Sequence, residues 1–541
     1  MRCHWFAKCL GTGWIVILTA LPIQAQQTEI NTAPDQRWIT ARSPVETTQD
    51  PGLIDDPAAS ASDLTVNSAA QLAAREAEIR AIVDAYLAEL SAVELEAEAC
   101  ECDKKKDDHP AMKAQWNHGM ELITEDKKFR IHVGGRVQVD TGWFGVDQAV
   151  QDSLVIPYGD GTDFRRARLR VDGTMYDQHE WAAEFDFVNS LRIANQPTRR
   201  GRFDESVVAP TDLWWTVKKL PILGNVRIGN QKEPIGFEHL VSSRFLPFME
   251  RSYNQDAFYG GLFNGFLPGV SAFNNYGDDQ IGLWHIGIYK PTDNTFASST
   301  GTGDYSVTGR LTRLLWYAND GEGLLHIGGS LRQATGIRVS GEPGRFQVFR
   351  TRDAIRTGLA GGWPIPAAIV LEGDDMQWAN AELAMVHGPW TLQSEYLVSG
   401  YQDARRTLND PVVGNVTYHG GYIQLLYFLT GEHDNYNKQT GVFERVTPHE
   451  NFFAVADGCG RRSWGLGAWQ TGLRYNYLDL NDEGLNGGQL YNLTYGLNWF
   501  WNPNAKWQFN YMYTYRDVSE VGEGNGSGWI NGYGMRFAFD F

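Results

Sequence analysis

Residues 531–541 read NGYGMRFAFDF, and every second side chain of this stretch is large and apolar: Tyr533, Met535, Phe537, Phe539 and Phe541. The side chains between them are small or charged: Gly534, Arg536, Ala538 and Asp540. Because side chains alternate between the two faces of a β-strand, this stretch predicts a strand with one apolar face. A soluble sheet buries such a face in a core, whereas a membrane β-barrel turns it to lipid and its polar face to a wet lumen.

The same period of two returns along most of the chain. Residues 129–146, FRIHVGGRVQVDTGWFGV, alternate apolar positions with Arg130, His132, Arg136, Gln138 and Asp140. Further alternating segments occupy 180–188, 211–218, 469–480, 491–501 and 506–517. Each is close to the ~9–11 residues that a tilted strand needs to cross a bilayer. Tyr and Trp near the strand ends are typical of the aromatic girdles of such barrels.

The connections between these segments alternate between tight turns and long loops, which is the asymmetry of a membrane barrel. We predict an all-β fold, a 16-stranded antiparallel transmembrane β-barrel over residues 129–541, with both chain ends on the periplasmic side. The predicted strands begin near residues 129, 164, 180, 211, 225, 269, 281, 305, 323, 376, 390, 417, 465, 489, 506 and 531. A soluble sandwich or propeller would need its aromatic faces to meet each other, and the sequence has no blade repeat.

Composition agrees with a barrel. The 541 residues include 58 Gly, 19 Trp, 23 Tyr and 26 Phe, but the mean hydropathy is only -0.37. Half of the formal net charge of -18 lies in residues 1–110, which hold 9 Lys and Arg against 18 Asp and Glu. An acidic chain of this kind gives no reason to expect nucleic acid as a partner.

The N-terminal region predicts export. Residues 1–25 combine Arg2 and Lys8 with a short apolar run and Ile23-Gln24-Ala25, the pattern of a cleaved signal peptide; an uncleaved anchor is the alternative, although the run is too short to span a bilayer. Residues 26–67 are rich in Thr, Ser, Pro, Asp and Ala and predict a disordered linker.

Residues 68–99 change to a helical period. Their apolar positions follow heptad spacing: Leu72, Ile79, Val83, Tyr86, Leu90 and Val93. This spacing predicts a short periplasmic coiled coil, for which self-association in a trimer or contact with the cell wall are the candidate roles, and a helix packed against another element is the alternative. Residues 100–128, with a mixed run of Lys and Asp, are interpreted as a solvated hinge.

Enzyme, metal and cofactor signals are weak. The sequence has no H-E-x-x-H or G-x-S-x-G string, and its histidines are scattered. Cleavage of the signal would leave Cys100, Cys102 and Cys459, an odd number without the paired spacing of a metal site. Glu184 and Asp186 are more simply lumen charges on one strand face. We therefore expect no catalytic residues, no metal and no cofactor.

Several motifs resemble a known family: FRRARLRVDGTMY at 164–176, AEFDF at 183–187, IGNQKEPIGFEHLVSSRFLPFMERS at 228–252, YFLTGE at 427–432, LRYNYLDLND at 473–482 and GLNWFWNPNAKWQFNY at 496–511. From Phe129 to Phe541 the chain resembles the phosphate-selective porins O and P of bacterial outer membranes. The resemblance implies sixteen strands, a homotrimer, passive diffusion of small solutes and a third long loop folded into the pore. It does not cover residues 26–120.

Alternation also predicts the lining of the pore. Arg166, Arg168 and Arg170 share one face of their strand, and three arginines facing lipid would be prohibitive, so this face belongs to the lumen. The other arginines predicted on the polar face are Arg136, Arg227 and Arg310. Guanidinium groups offer forked donors that match the oxygens of phosphate-like anions. The alternative is that Arg166 and Arg168 neutralise lumen carboxylates such as Glu184 and Asp186 on the adjacent strand.

The predicted constriction loop, roughly 232–268, carries Lys232, Arg244 and Arg251 beside glutamates, and it lacks the lysine cluster of the family's best-known members. We predict a porin of the bacterial outer membrane, with the N-terminal segment in the periplasm. It would pass small anionic solutes such as phosphate or polyphosphate. An envelope-organising barrel, held in the outer membrane and acting through its coiled coil, is the alternative function.

Overall fold

The structure of the chain is a computed structural model, and it divides into two units, residues 1–105 and 106–541. The structure describes parts of 74–88, then 111–188, 208–259, 265–291, 305–335, 337–338, 345–357, 364–456, 462–522 and 525–541. None of the helices described is long and apolar enough to cross a membrane.

In the first unit, residues 74–78, 80–81, 83–85 and 88 are helical. Val83 is exposed in this unit. The other predicted heptad positions, together with the predicted signal peptide and linker, lie outside the described residues. The coiled coil and its contacts therefore stay predictions.

The second unit is built from antiparallel strands in chain order. A first hairpin consists of β1 (Met112–Trp116) and β2 (Met120–Thr124). The next nine strands belong to the main sheet: β3 (Phe129–Val146), β4 (Gly161–Met175), β5 (His179–Asp186), β6 (Ala209–Leu220), β7 (Gly224–Lys232), β8 (Phe266–Tyr276), β9 (Gly282–Tyr289), β10 (Ser306–Ala318) and β11 (Gly323–Thr335). A small separate sheet follows, made of β12 (Ile337–Arg338), β13 (Arg345–Thr351) and β14 (Ala367–Glu372).

The main sheet continues with β15 (Asp375–His387), β16 (Trp390–Ala404) and β17 (Gly414–Phe428). Two short hairpins come next, β18 (Tyr436–Asn437) with β19 (Val442–Phe443), and β20 (Phe453–Ala456) with β21 (Arg462–Gly465). The last strands of the main sheet are β22 (Ala468–Asp482), β23 (Leu485–Asn502), β24 (Ala505–Asp517) and β25 (Gly528–Asp540). The helices are α1 (Gln148–Ser153), α2 (Phe237–Leu240), a π-turn at Gln255–Tyr259 and two 3-10 turns at Asp278–Gln280 and Asn319–Gly321.

Pairing of β25 with β3 closes sixteen strands into a barrel. The seam runs from Ile530 opposite Val146 to Asp540 opposite Arg136, and the Phe541 and Gly135 backbones exchange two further hydrogen bonds of 2.6 and 3.1 Å. The predicted sixteen-stranded barrel is confirmed, and the predicted strand starts differ from the observed ones by at most four residues.

The interpretation of residues 100–128 as a hinge needs correction. Its described part forms the β1–β2 hairpin, and β2 pairs with β3 from Met120 opposite Val133 to Ile123 opposite Arg130. Burial favours this pairing, because Glu121 is buried beside Arg130, with 2.9 Å between their charged atoms. The strand Met120–Thr124 was not predicted, because its alternating pattern is short and follows a run of mixed charges.

Outward and inward faces alternate on the barrel strands as predicted. Leu169, Trp215 and Phe539 are exposed on the outside, whereas Arg136, Arg168 and Glu184 are buried on the inside. Most connections at one end of the barrel are two to five residues long, and we call it the short-turn end. The opposite end, where β3 joins β4 and β7 joins β8, is the long-loop end. The connection 429–467 is the exception, because it is long and leaves from the short-turn end.

The long-loop half of the lumen is filled on one side. Inward side chains of β15–β17, β22 and β23 form an apolar surface that we call the packed wall: Met376, Trp378, Leu397, Tyr401, Val416, Tyr418, Leu478, Leu480 and Leu490. Phe349 of β13 packs on it, 5.0 Å between ring centroids from Tyr418, and Tyr253 and Phe258 of the β7–β8 loop join the same core. Through this core, Tyr253, Phe258 and Phe349 pack against one side of the barrel.

Candidate functional site in the barrel lumen

A cavity of about 450 Å³ lies in the lumen between the barrel wall, the β7–β8 loop and residues 439–444. All nine basic residues singled out from the sequence line it: Arg136, Arg166, Arg168, Arg170, Arg227, Lys232, Arg244, Arg251 and Arg310. We call the inward face formed by the six arginines of β3, β4, β7 and β10 the arginine wall. The carboxylates that line the same cavity are Glu184, Asp212 and Glu444.

Part of the arginine wall is paired with acidic side chains. Arg136 and Arg168 both contact Glu184, and Arg168 Nε donates to Asp186 at 2.7 Å. Arg170 donates to Asp212 at 2.9 Å. The alternative raised from the sequence, that Glu184 and Asp186 neutralise Arg166 and Arg168, therefore describes Arg168. Arg166 instead lies 3.4 Å from Glu250 of the β7–β8 loop.

Arg310 is held from two sides. Its guanidinium lies 2.8 Å from Glu382 of β15, and it donates to the backbone oxygens of Thr440 and Gly441 at 3.2 and 2.9 Å. These two residues belong to the long connection 429–467. The segment that enters from the short-turn end thus forms one boundary of the cavity.

A β-bulge in β4 places one arginine more in the lumen than simple alternation predicts. The register of β4 against β3 shifts between Arg166 and Phe164, and Arg165 and Arg166 both turn inward and are buried. In a bulge, two residues of one strand oppose one residue of its partner. The inward position of Arg165 was not predicted, since two consecutive arginines in an alternating strand are expected to point one inward and one outward.

Four arginines converge on Glu250 of the β7–β8 loop. Arg165 donates to its two carboxylate oxygens at 2.7 and 2.9 Å, and Arg536 donates at 2.8 Å. Arg166 and Arg356 lie 3.4 and 3.3 Å from the same carboxylate. Hydrogen bonds between ionised groups are stronger than neutral ones, so this cluster fixes the loop against β4 and β25.

The start of the loop is fixed on the packed side. Glu395 of β16 accepts the backbone N–H groups of Phe237 and Glu238 at 2.8 and 2.7 Å, at the first turn of α2. Gly236 precedes this turn with a φ of 71°, and a Cβ there would lie 2.6 Å from the Glu395 carboxylate. Glycine is therefore required for the loop to approach this strand.

Three of the cavity cations have no carboxylate partner among the residues that the structure describes. Arg227 lies between two rings, 3.8 Å from the centroid of Trp214 and 5.0 Å from that of Phe273. Lys232 donates to the backbone oxygens of His239 and Val241. Arg251 likewise donates to backbone oxygens, at 2.9 Å to Glu238 and 2.5 Å to Val241. The positive charges of these three side chains are therefore not neutralised by a direct ion pair with a described carboxylate.

Arg244 provides the least satisfied donors of the site. Its Nε and Nη2 atoms are buried and have no hydrogen-bond partner in the described part of the chain, and its nearest carboxylate, Asp540, is 3.9 Å away. Burial and the neighbouring Arg136 lower the pKa of the Arg244 guanidinium to about 9. Arg136 itself donates to Ser242 and Ser243 at 3.3 and 2.8 Å. The serines, Arg136 and Arg244 form a cluster rich in hydrogen-bond donors.

A closed sixteen-stranded barrel with a loop folded into a charged lumen is the architecture of outer-membrane porins. The chain belongs to the family described as phosphate-selective porin O and P, whose model matches residues 131–541. Family and fold together place the protein in the outer membrane as a channel rather than an enzyme. The resemblance found in the sequence motifs is confirmed.

Two relatives cover most of the chain. Porin O of Pseudomonas aeruginosa is 23% identical over 451 residues, which are 76% of this chain and 89% of that protein. An uncharacterized protein of Caulobacter vibrioides is 26% identical over 433 residues, or 79% of this chain and 76% of its own length.

Solved porin structures are similar at low identity. OmpF of Salmonella typhi in complex with daunomycin is 11% identical, with a TM-score of 0.45, over 79% of this chain and all of that one. The anion-selective porin of Comamonas acidovorans is 13% identical, with a TM-score of 0.41, over 76% of this chain and all of that one.

Proposed function

We propose that the barrel is a diffusion channel selective for small anions such as phosphate or polyphosphate, and that the arginine wall with Lys232, Arg244 and Arg251 supplies the selectivity. The observation that carries the proposal is the pair of buried, unpartnered donor atoms on Arg244 beside Arg136. Buried donors left without a partner are costly, and an anion between them would satisfy both donors and charges.

The paired arginines have a different role in this proposal. Arg136, Arg168 and Arg170 are each paired with a carboxylate. They therefore contribute to the positive potential of the lumen but hold an anion weakly. Arg227, Lys232 and Arg251, which have no carboxylate partner in the described part of the chain, supply successive stronger contacts. Conduction needs several sites of moderate strength, so that an anion enters easily and also leaves.

The test is the zero-current potential of the purified protein in a planar bilayer under a potassium chloride gradient. Arg244→Gln should move this potential toward cation selectivity. It should also weaken the block of chloride current by phosphate about tenfold or more, because a hydrogen bond to a charged group contributes roughly 1.5–3 kcal/mol. Arg244→Lys should retain part of the block.

Arg406→Gln is the matched control, because Arg406 is exposed on the β16–β17 loop, away from the cavity. It should leave both the potential and the phosphate block unchanged. Equal potentials for the parent and Arg244→Gln would remove Arg244 from the selectivity mechanism. A parent channel without anion preference would reject the proposed function itself.

We also propose a homotrimer with the N-terminal unit in the periplasm. Porins commonly carry short turns on the periplasmic side, and here Phe541 and the β1–β2 hairpin lie at the short-turn end. Polar replacement of Val83 together with Leu90 should lower the temperature at which the trimer dissociates in detergent, while single-channel steps persist. A variant trimer as heat-resistant as the parent would reject the role of the helix.

A further inference from the structure

The connection 429–467 has two arms with opposite destinations. Its first arm, including β18 and β19, enters the lumen and contacts Arg310. Its second arm, the β20–β21 hairpin, lies on the outer surface of the barrel. A loop that only narrowed the pore would need no second arm, and the proposed channel does not use it.

Contacts with β23 fix the base of this hairpin on the outside. The Phe452 ring lies 4.6 Å from Trp499 and 5.5 Å from Trp501, and its backbone N–H donates to the Trp501 oxygen at 2.6 Å. The Trp499 indole in turn donates to the Leu466 oxygen at 2.8 Å. Trp499 and Trp501 alternate with the buried, inward Asn498 and Phe500, so the hairpin rests on the face of the barrel that meets lipid.

The hairpin extends an aromatic girdle. On the barrel wall the girdle runs from Trp469, stacked on Trp499 at 5.0 Å, through Trp501 and Trp507 to Phe537. All five residues lie near the short-turn ends of their strands. Trp and other aromatic side chains collect at the level of the lipid headgroups, where one part of the ring is apolar and the other is hydrated.

Beyond the girdle, the hairpin leaves large apolar side chains uncovered. Trp464 is 70% exposed, Leu466 72% and Phe453 57%, and Phe453 and Trp464 contact each other at 4.8 Å between ring centroids. Arg462, two residues before Trp464, is exposed as well. An apolar cluster next to a cation matches the boundary between acyl chains and anionic headgroups.

We propose that the β20–β21 hairpin is a phospholipid-binding arm that inserts Phe453, Trp464 and Leu466 into the headgroup boundary of the leaflet at the short-turn end. Arg462 contacts lipid phosphate. The occupant is lipid because the hairpin continues a surface that already faces lipid, and because its exposed cation suits an anionic headgroup.

A spin-label experiment tests this proposal in the full chain. All five cysteines, Cys3, Cys9, Cys100, Cys102 and Cys459, are replaced by Ser. Trp464→Cys carries a nitroxide, and the protein is reconstituted in vesicles of phosphatidylethanolamine and phosphatidylglycerol. Labels at Trp529→Cys and Glu520→Cys serve as lipid-facing and water-facing references, since Trp529 is exposed on the outside of β25 and Glu520 on the β24–β25 loop. The readout is the collision rate of each label with oxygen and with a water-soluble nickel chelate.

The label at position 464 should collide with oxygen more than with nickel, as the lipid-facing reference does. Adding Arg462→Glu should raise its nickel accessibility in these vesicles but not in vesicles of phosphatidylcholine alone. Nickel accessibility equal to that at position 520 would place the hairpin in water and overturn the proposal. Low accessibility to both reagents would assign the hairpin to a contact with another copy of the chain and would equally overturn it.

Discussion

The arginine wall and the packed wall belong to the same barrel and present opposite chemistry to the lumen. The arginine wall carries Arg136, Arg168 and Arg310 on an open cavity, whereas the packed wall carries Leu397, Tyr418 and neighbours beneath the inward loops. Both walls alternate inward and outward residues, apart from the bulge in β4 that turns both Arg165 and Arg166 inward. The difference between them therefore comes mainly from the types of residue that point inward.

This division determines where the channel lies. Apolar inward residues bind the β7–β8 loop and the β13–β14 strands by burial, which gains roughly 25 cal/mol per Å² of apolar surface. On the other wall, Arg136, Arg168 and Arg170 are paired with local carboxylates and line the open cavity. The lumen cavity consequently lies between the arginine wall and the β7–β8 loop, which lines it with Ser242, Ser243 and Arg244.

The largest expected effect comes from breaking the contact between the loop and the arginine wall at Glu250. Glu250→Ala would leave Arg165, Arg166 and Arg536 without this carboxylate, and removing one partner of a buried ion pair costs about 3–5 kcal/mol. We expect a lower free energy of unfolding and noisy, enlarged channel steps. Formate, which can replace the missing carboxylate, should restore part of the stability.

Glu520→Ala is the control for this change, because Glu520 is exposed on the β24–β25 loop. It should leave unfolding and conductance as in the parent. An unchanged unfolding free energy for Glu250→Ala would mean that the arginine cluster does not hold the loop.

The packed wall is tested by Phe349→Ala. Phe349 is fully buried between Tyr418, Tyr401 and Phe258, and truncating a buried Phe costs about 3–5 kcal/mol. Because Phe349 supports the loops from the side opposite to the cavity, we expect less stability and wider conductance with little change in ion preference. Phe187→Ala, at an exposed position, is the control. A shift in the selectivity of Phe349→Ala as large as that of Arg244→Gln would contradict the division between the walls.

The outer faces of the two walls should behave alike. Leu169→Arg behind the arginine wall and Leu383→Arg behind the packed wall each place a charge toward lipid, at a cost of roughly 2–4 kcal/mol near the membrane midplane. We expect similar losses of assembled protein, measured by heat-modifiable gel mobility, with Leu169→Phe and Leu383→Phe tolerated. Very different losses of assembled protein would show that the inward residues of a wall affect how well its outer face tolerates a charge.

The smallest expected effect concerns Asp353, a carboxyl group that has no ion pair among the residues that the structure describes. Asp353 accepts hydrogen bonds from Tyr253, Thr514 and Tyr158 at 2.8, 3.0 and 3.2 Å, and burial raises the pKa of its carboxyl above the ordinary value even though these hydrogen bonds lower it. A raised pKa means that the folded state prefers the protonated form. Its contribution to stability is therefore present at acidic pH and is lost as the pH rises through the pKa of the folded state.

Asp353→Asn should abolish the loss of stability that accompanies rising pH, because an amide does not ionise. At neutral pH the variant should be as stable as the parent or more stable, by less than about 1.5 kcal/mol, the net range of a hydrogen bond. In acid the advantage should disappear or reverse. Unfolding free energies measured across the acidic to neutral range decide this, and a parent that gains stability relative to the variant as the pH rises would contradict the assignment.

The sequence predicts most of the barrel because its signals are local. An alternating strand such as Lys506–Asp517 identifies itself through the order of its own residues, and strand starts follow. The inward placement of Arg166, Arg168 and Arg170 follows from the same alternation. Arg165 escaped because a bulge depends on the register with the neighbouring strand, which alternation within one strand does not contain.

Contacts between distant segments could not be predicted in the same way. Glu250 and Arg536 lie 286 residues apart in the chain, and the hydrogen bonds from Arg310 to Thr440 and Gly441 join a strand to a loop. Which carboxylate meets which arginine is decided by how the loops fold inward. For that reason nothing in the sequence separated the paired Arg168 from the unpartnered donors of Arg244.

The seam between β3 and β25 sets a condition on the order of folding. Val146 and Ile530 pair across it although most of the barrel sequence lies between them, and until they meet, β3 and β25 remain open edges. Open strand edges readily pair with other chains, and contacts between such distant residues form slowly. The stretches of β3 and β25 that form the seam are therefore exposed to pairing with other chains until the last strand is complete, so closure of the barrel is the step at which aggregation competes with folding.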